Sequence, residues 1–160
     1  MPGGRPDLTR IVSGGQTGVD RAALDVALAS GMAAGGWCPQ GRRAEDGRIP
    51  DRYPLTETPE AAYEQRTEWN VRDSDGTLII CRGDPGGGTG LTLELASRWR
   101  RPVLVVDLDR DPSAAGVSNW IERQRISTLN VAGPRESTSP GIHEAAVRFL
   151  ERVLSTIETE

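Results

Sequence analysis

Apolar positions recur along the chain in two alternating rhythms. Brief apolar runs bounded by turn residues predict buried strands, and longer stretches with apolar residues three and four apart predict helices. The run Arg10-Ile11-Val12-Ser13 is of the first kind and enters a glycine-rich loop. From Gly18 to about Ser30 the second rhythm takes over: Val19, Ala22, Ala23, Val26 and Ala27 share one small-residue face, suited to lying close on a sheet, and Gly31 is a natural C-terminal cap. MAAGGWCP reads as a second, shorter strand. Ala61 to about Arg72 is predicted helical, and DSDG turns the chain into a strand over Thr77–Cys81.

A second glycine loop, GDPGGGTG, then opens a helix that stops at Pro102 before the strand PVLVVDLD. A turn over 111–115, a helix from Val117 to about Gln124 and the strand STLNVAG follow. The helix from Ile142 to about Thr156 closes the pattern, with Ala145, Ala146, Phe149, Leu150, Val153 and Leu154 in register. Strand and helix alternate throughout, which predicts an α/β fold with about five mainly parallel strands and helices on both faces. Only 39–60, rich in proline, glycine and charge, lacks a clear period; loops of that length are usually functional.

At 160 residues the chain is expected to form one domain, with residues 1–9 a flexible start. No apolar run reaches membrane-spanning length and the N-terminus lacks the apolar centre of a signal peptide, so a cytoplasmic location without membrane contact is expected. Cys38 and Cys81 form no CxxC pair and read as reduced thiols; His143 is the only histidine, so no metal site is expected. All 19 basic residues are arginine. That excludes a Walker lysine or a Schiff base and leaves guanidinium forks for anion recognition. The net charge of −4, without a basic strip, argues against nucleic-acid binding.

Candidate chemistry lies at three strand ends. In a parallel sheet the ligand crevice opens at the carboxyl ends of the strands where their order reverses. If the first and third strands are neighbours there, Ser13, Gly14, Gly15, Gln16 and Thr17 face Gly86, Gly87, Gly88 and Thr89 across one crevice. Each loop then offers backbone N–H groups at a helix N-terminus, an arrangement that suits a phosphate. The plainer reading of either loop is a tight turn. After the fifth strand, NVAGPRES brings together Asn130, Arg135 and Glu136, either as ligand contacts or as a salt-bridged cap of the sheet edge. Trp37 and Arg42 stand after the second strand as a further wall, Trp37 to stack on a planar ring or simply to pack.

The blocks SGGQTGVDRAALDVAL, GGWCPQGRRAEDGRIPDRYPL, YEQRTEWNVRDSDGTLI, GGGTGLT and NVAGPRESTSPGI, in order over about residues 10–150, resemble the molybdenum carrier family, a circularly permuted YpsA-like branch of the LOG-like Rossmann proteins. The resemblance implies a Rossmann-like three-layer sandwich, a homo-oligomer (dimer or tetramer), and a small phosphorylated ligand such as molybdenum cofactor, a phosphorylated pterin dithiolene carrying the metal. The phosphoribohydrolases of the wider group carry PGGxGTxxE, whose glutamate serves glycosidic cleavage. Here Thr92 falls at that position, and Glu94, about 200° further round at about 100° per residue, points away. The expected function is therefore a non-catalytic carrier. The alternatives are a nucleotide-cleaving enzyme using Glu68, Asp46 or Glu136, and a nucleotide-sensing module.

Overall fold

The structure, a computed structural model, describes residues 8–83 and 86–158. Residues 1–7 of the flexible start expected from the sequence, and Asp84-Pro85 of the second glycine loop, lie outside them. In chain order the elements are β1 (Arg10–Val12), α1 (Val19–Ser30), β2 (Ala33–Gly35), β3 (Trp37–Cys38), β4 (Arg43–Ala44), β5 (Gly47–Arg48), β6 (Thr56–Glu57), α2 (Tyr63–Arg72), β7 (Gly76–Cys81), α3 (Gly87–Arg98), β8 (Val103–Asp107), α4 (Ala114–Arg123), β9 (Thr128–Ala132) and α5 (Ile142–Glu158). Among the described residues no helix is long and apolar enough to cross a membrane.

Five strands form one sheet in the order β2-β1-β9-β7-β8, and every pairing is parallel. The all-parallel sheet and its helical layers bear out the α/β three-layer, Rossmann-like fold. Strand alternation sorts the layers. Leu78 and Ile80 of β7, with Leu129 and Val131 of β9, join the main core under α1, α4 and α5. Thr77, Ile79 and Asn130 point to the other face, where Val71 of α2 packs with Leu95 and Ala96 of α3. α1 packs along α5, and the apolar face it presents is mostly alanine and valine, which lets the two helices approach closely.

The strand order corrects one premise. β1 and β7, the first and third strands of the sheet, are not neighbours: β9 lies between them and bonds to both. If β9 and α5 are counted ahead of β1, the order becomes 3-2-1-4-5, that of a doubly wound dinucleotide-binding sheet. The order then reverses between β9 and β7, which places the crevice there.

MAAGGWCP is not one strand but two. β2 belongs to the main sheet, whereas β3 pairs with β6 in a separate ribbon. Gly36 makes the break, with φ +126 and no room for a side chain, since a Cβ there would run into the Ser13 carbonyl and amide. The segment 39–60 is ordered around a core of its own made by Leu24, Cys38, Ile49 and Tyr53.

Candidate functional site

A cavity of about 410 Å³ opens at the carboxyl ends of β9 and β7, within the range of small-molecule sites. Its floor is Ile79 and Cys81 from β7 and Asn130 and Ala132 from β9. Asn130 donates through Nδ2 to Thr77 Oγ1 at 3.2 Å, locking a buried amide on the sheet surface. The walls come from Gly133–Arg135 after β9, from Gly86, Gly88, Thr89 and Thr92 at the start of α3, from Arg66, Thr67 and Asn70 of α2, and from Gly14, Gln16 and Asp20 of the first glycine loop.

Of the residues singled out from sequence, Gly14, Gln16, Gly86, Gly88, Thr89, Asn130 and Arg135 line this cavity together. Both glycine loops reach it even though their strands are not adjacent, because β9 between them is a single strand wide. Gly87, the first residue of α3, stands between two lining glycines.

The two loops are built differently. At the first, three backbone donors are spent inside the protein: Gln16 N–H reaches Asp20 Oδ2 at 3.3 Å, Thr17 N–H reaches Gln16 Oε1 at 3.1 Å, and Val19 N–H reaches the Pro134 carbonyl at 3.3 Å. Asp20 sits in the first turn of α1 where an anion would be held, so the loop carries its own carboxylate. A Cβ at Gly14 would meet Arg66, at Gly15 Ile49 and Leu55, and at Gly18 the 134–136 backbone. At the second loop, no described side chain caps α3, and among the described residues a Cβ at Gly86, Gly88 or Gly90 would meet nothing within 4 Å. These glycines are not demanded by packing, and Gly86 and Gly88 leave bare backbone facing the cavity.

Ser13, Gly15, Thr17, Trp37, Arg42 and Glu136 do not line the cavity. Ser13 is fully buried and donates to the Asp20 carbonyl at 2.8 Å. Thr17 donates to Glu45 and accepts from the Glu136 N–H. Trp37 packs edge-on against Trp69, ring centroids 4.8 Å apart, and its indole N–H reaches Asp73. Arg42 is buried within the 39–60 segment and donates to the carbonyls of Ile49, Pro50 and Tyr53 at 2.7–3.0 Å, acting as the post around which that segment folds. Glu136 accepts from the Gly141 and His143 N–H groups and so caps α5. His143 does not line the cavity, and its Nε2 lies 2.8 Å from Asp25 Oδ2.

Sequence reasoning overlooked Asp20 and Arg66. Asp20 is 7% exposed, and burial pushes its carboxyl above the usual range while Arg66 pulls the other way. Arg66 Nη1 donates to the Gly14 carbonyl at 3.0 Å and lies 3.6 Å from Asp20 Oδ2. The clue available was an arginine on the apolar-facing side of α2, a residue type seldom buried without a partner. Arg66, Arg135 and Arg43 gather about the Tyr63 ring, with guanidinium carbons 5.1, 5.4 and 4.5 Å from its centroid. Arg66, Arg82 and Arg135 wall the cavity with three guanidinium groups against the one Asp20 carboxylate, a wall suited to an anion. Thr92 lines the cavity and donates to the Gly88 carbonyl; Glu94 lies exposed beside Arg98, pointing away as its spacing requires. Glu68, Asp46 and Glu136, the carboxylates of the hydrolytic alternative, are engaged elsewhere, with Trp99, Arg21 and the α5 N-terminus.

Comparison with known proteins agrees with the permuted strand order. A protein from Syntrophus aciditrophicus SB, whose crystal structure is described as that of a "Putative molybdenum carrier protein", is 47% identical, with a TM-score of 0.88 over 94% of this chain and 97% of that one. No curated protein matches. The model of the circularly permutated YpsA SLOG family matches residues 11–154. With β9 and α5 last in chain order although β9 is central in an otherwise doubly wound sheet, and with nearly its whole length matched, the chain belongs to the circularly permutated YpsA SLOG family.

Proposed function

We propose that the protein binds and carries a phosphorylated small molecule in the cavity between β9 and β7, with molybdenum cofactor as the cargo. One observation carries the reading: the glycine-bare N-terminus of α3, capped by no described side chain, shares a cavity with Arg66, Arg82 and Arg135 at the switch point of the sheet. Backbone N–H groups, the Thr89 hydroxyl and guanidinium forks are the donors a phosphate needs. The cargo is suggested by the 47% identical protein described as a "Putative molybdenum carrier protein", and the residues present fit it: Gly86, Gly88 and Thr89 would hold the phosphate and Arg135 would neutralise it, while Gln16 and Asn130 would offer amides to the pterin. The cofactor's own contribution is a dithiolene-bound metal; the chain's part is to bind, orient and shield it from water. A cytoplasmic homo-oligomer goes with this reading, and light scattering tests the assembly.

The deciding experiment is anaerobic uptake of the cofactor, followed by the fluorescence of its oxidised pterin. Saturable retention that Gly88→Asp abolishes is expected; no saturable retention at tens of micromolar overturns the reading. A nucleotide is the second reading, favoured by the 3-2-1-4-5 strand order, and nucleotide titration with base release monitored separates a sensing module from a hydrolase.

A further inference from the structure

The carboxamide of Gln16, a residue of the cavity wall, carries a buried donor whose hydrogen bonding is unfinished among the described residues. Gln16 is 4% exposed. Its Oε1 accepts from Thr17 N–H at 3.1 Å and from Glu45 N–H at 2.8 Å. Both partners are donors, so this end of the amide is the oxygen, and neither Thr17 nor Glu45 lines the cavity. Nε2, the other end, is buried with no partner among the described residues. Two N–H bonds are therefore left for an acceptor that the chain does not supply, a costly state for a buried donor unless a ligand meets it. One turn on, Asp20 also lines the cavity, and its contacts with Gln16 N–H and Arg66 both fall on Oδ2, leaving Oδ1 as an acceptor.

We propose that Gln16 and Asp20 read the oxo edge of a bound heterocycle, of the kind shared by 6-oxopurines and 4-oxopteridines, and select it over amino-substituted rings. The inference rests on the cavity being a phosphorylated-ligand site. On such an edge the carbonyl oxygen stands between a bare ring nitrogen and a ring N–H. The oxygen and the bare nitrogen take the two hydrogens of Nε2, and the ring N–H donates to Asp20 Oδ1. A 6-aminopurine in the same pose reverses the polarity, setting its amino hydrogens against the Gln16 amide and a bare nitrogen against the carboxylate. Turned over, it offers Nε2 only one acceptor. Because Oε1 is already committed, the side chain cannot rotate to serve an amino group without giving up the Thr17 and Glu45 bonds. An oxidised phosphorylated pterin and a guanine nucleotide present the same edge, and a reduced pterin keeps its carbonyl oxygen and ring N–H.

The test is calorimetric titration of the full chain with GMP, IMP, neopterin monophosphate, AMP and ribose 5-phosphate. The wild type is expected to bind at least one of the three oxo ligands about tenfold or more tightly than AMP. The tighter of neopterin monophosphate and GMP then names the natural source of the edge. Gln16→Met matches the volume without the donors, and Gln16→Glu keeps an oxygen for Thr17 and Glu45 but loses the N–H bonds; in both, the preference over AMP should fall toward unity. Circular dichroism establishes which variants are folded, and the wild-type ratio stands by itself if neither is. AMP binding as tightly as every oxo ligand, or a preference that survives in a folded Gln16 variant, overturns the inference. Ribose 5-phosphate separates the two levels: binding without oxo selectivity defeats only this inference, whereas no binding of any probe defeats the phosphate site as well.

Discussion

Two glycines in look-alike motifs, Gly15 in GGQTG and Gly88 in GGGTG, should respond in opposite directions to the same substitution. Gly15 has φ +81, and a Cβ there would lie 2.6 Å from Leu55 Cδ1 and 2.9 Å from Ile49 Cδ1. Left-handed backbone costs a residue with a Cβ about 1–2 kcal/mol, and forcing apart a filled core costs about 1–3 kcal/mol more, so Gly15→Ala should destabilise by about 2–5 kcal/mol. Gly88 lies in the first turn of α3, and a Cβ there meets nothing within 4 Å. Gly88→Ala should therefore be neutral or stabilising, by up to about 1 kcal/mol, since alanine restricts the unfolded chain more and favours helix. Gly88→Asp also sits well with the helix, an acid in the first turn being favourable, yet it places a carboxylate beside the site assigned to phosphate. The assay is urea denaturation of the three variants beside wild type. Equal destabilisation of Gly15→Ala and Gly88→Ala, or a Gly15→Ala protein as stable as wild type, would refute the distinction between a packed loop and an open one. Gly15→Asp thus reports on folding, and Gly88→Asp is the informative probe of binding.

Removing one member of the buried pair should hurt more than removing both. Arg66→Met leaves Asp20 without its cation and should cost about 3 kcal/mol, while Asp20→Asn in the same chain recovers part of that; urea midpoints of the single and double variants check it. Glu45 ties the 39–60 segment to Thr17 and Ser137, and the Ser137 and then Thr17 hydrogen bonds hold its carboxyl below its ordinary value of 4.5. A depressed carboxylate stabilises above its unfolded value and loses that contribution as pH falls through the folded one. Melting temperature should accordingly drop below about pH 4.5, and more shallowly in Glu45→Gln, in scans across the acid range. Burial, with the hydrogen bond to Asp25, pushes Tyr53 from 10.0 up to about 12. Its raised value favours the native state below pH 10 and ceases to do so as pH rises toward 12, so Tyr53→Phe should flatten the alkaline loss of stability there. The chain has no lysine to titrate in that window.

The sequence by itself determined the five sheet strands, the five helices and their alternation, because these rest on local periodicity and on glycine and proline punctuation. It also marked the second glycine loop and the Asn130–Arg135 stretch, since a strand end followed by bare backbone is a local pattern. Which strand neighbours which was decided only in three dimensions: β9 enters between β1 and β7 through hydrogen bonds to residues more than fifty positions away, and no local pattern encodes a partner. The same holds for the division of labour between two loops of nearly the same spelling. Gly15 is closed over by Ile49 and Leu55 and Gly14 by Arg66, from segments whose sequence says nothing of where they fold back, whereas Gly88 is left open. Ser13, Thr17, Trp37 and Arg42 read as ligand contacts because each carries donor or aromatic chemistry near a strand end. Tertiary packing spends that chemistry on the protein itself, while Gln16, the start of α3, Asn130 and the arginines Arg66, Arg82 and Arg135 line the cavity.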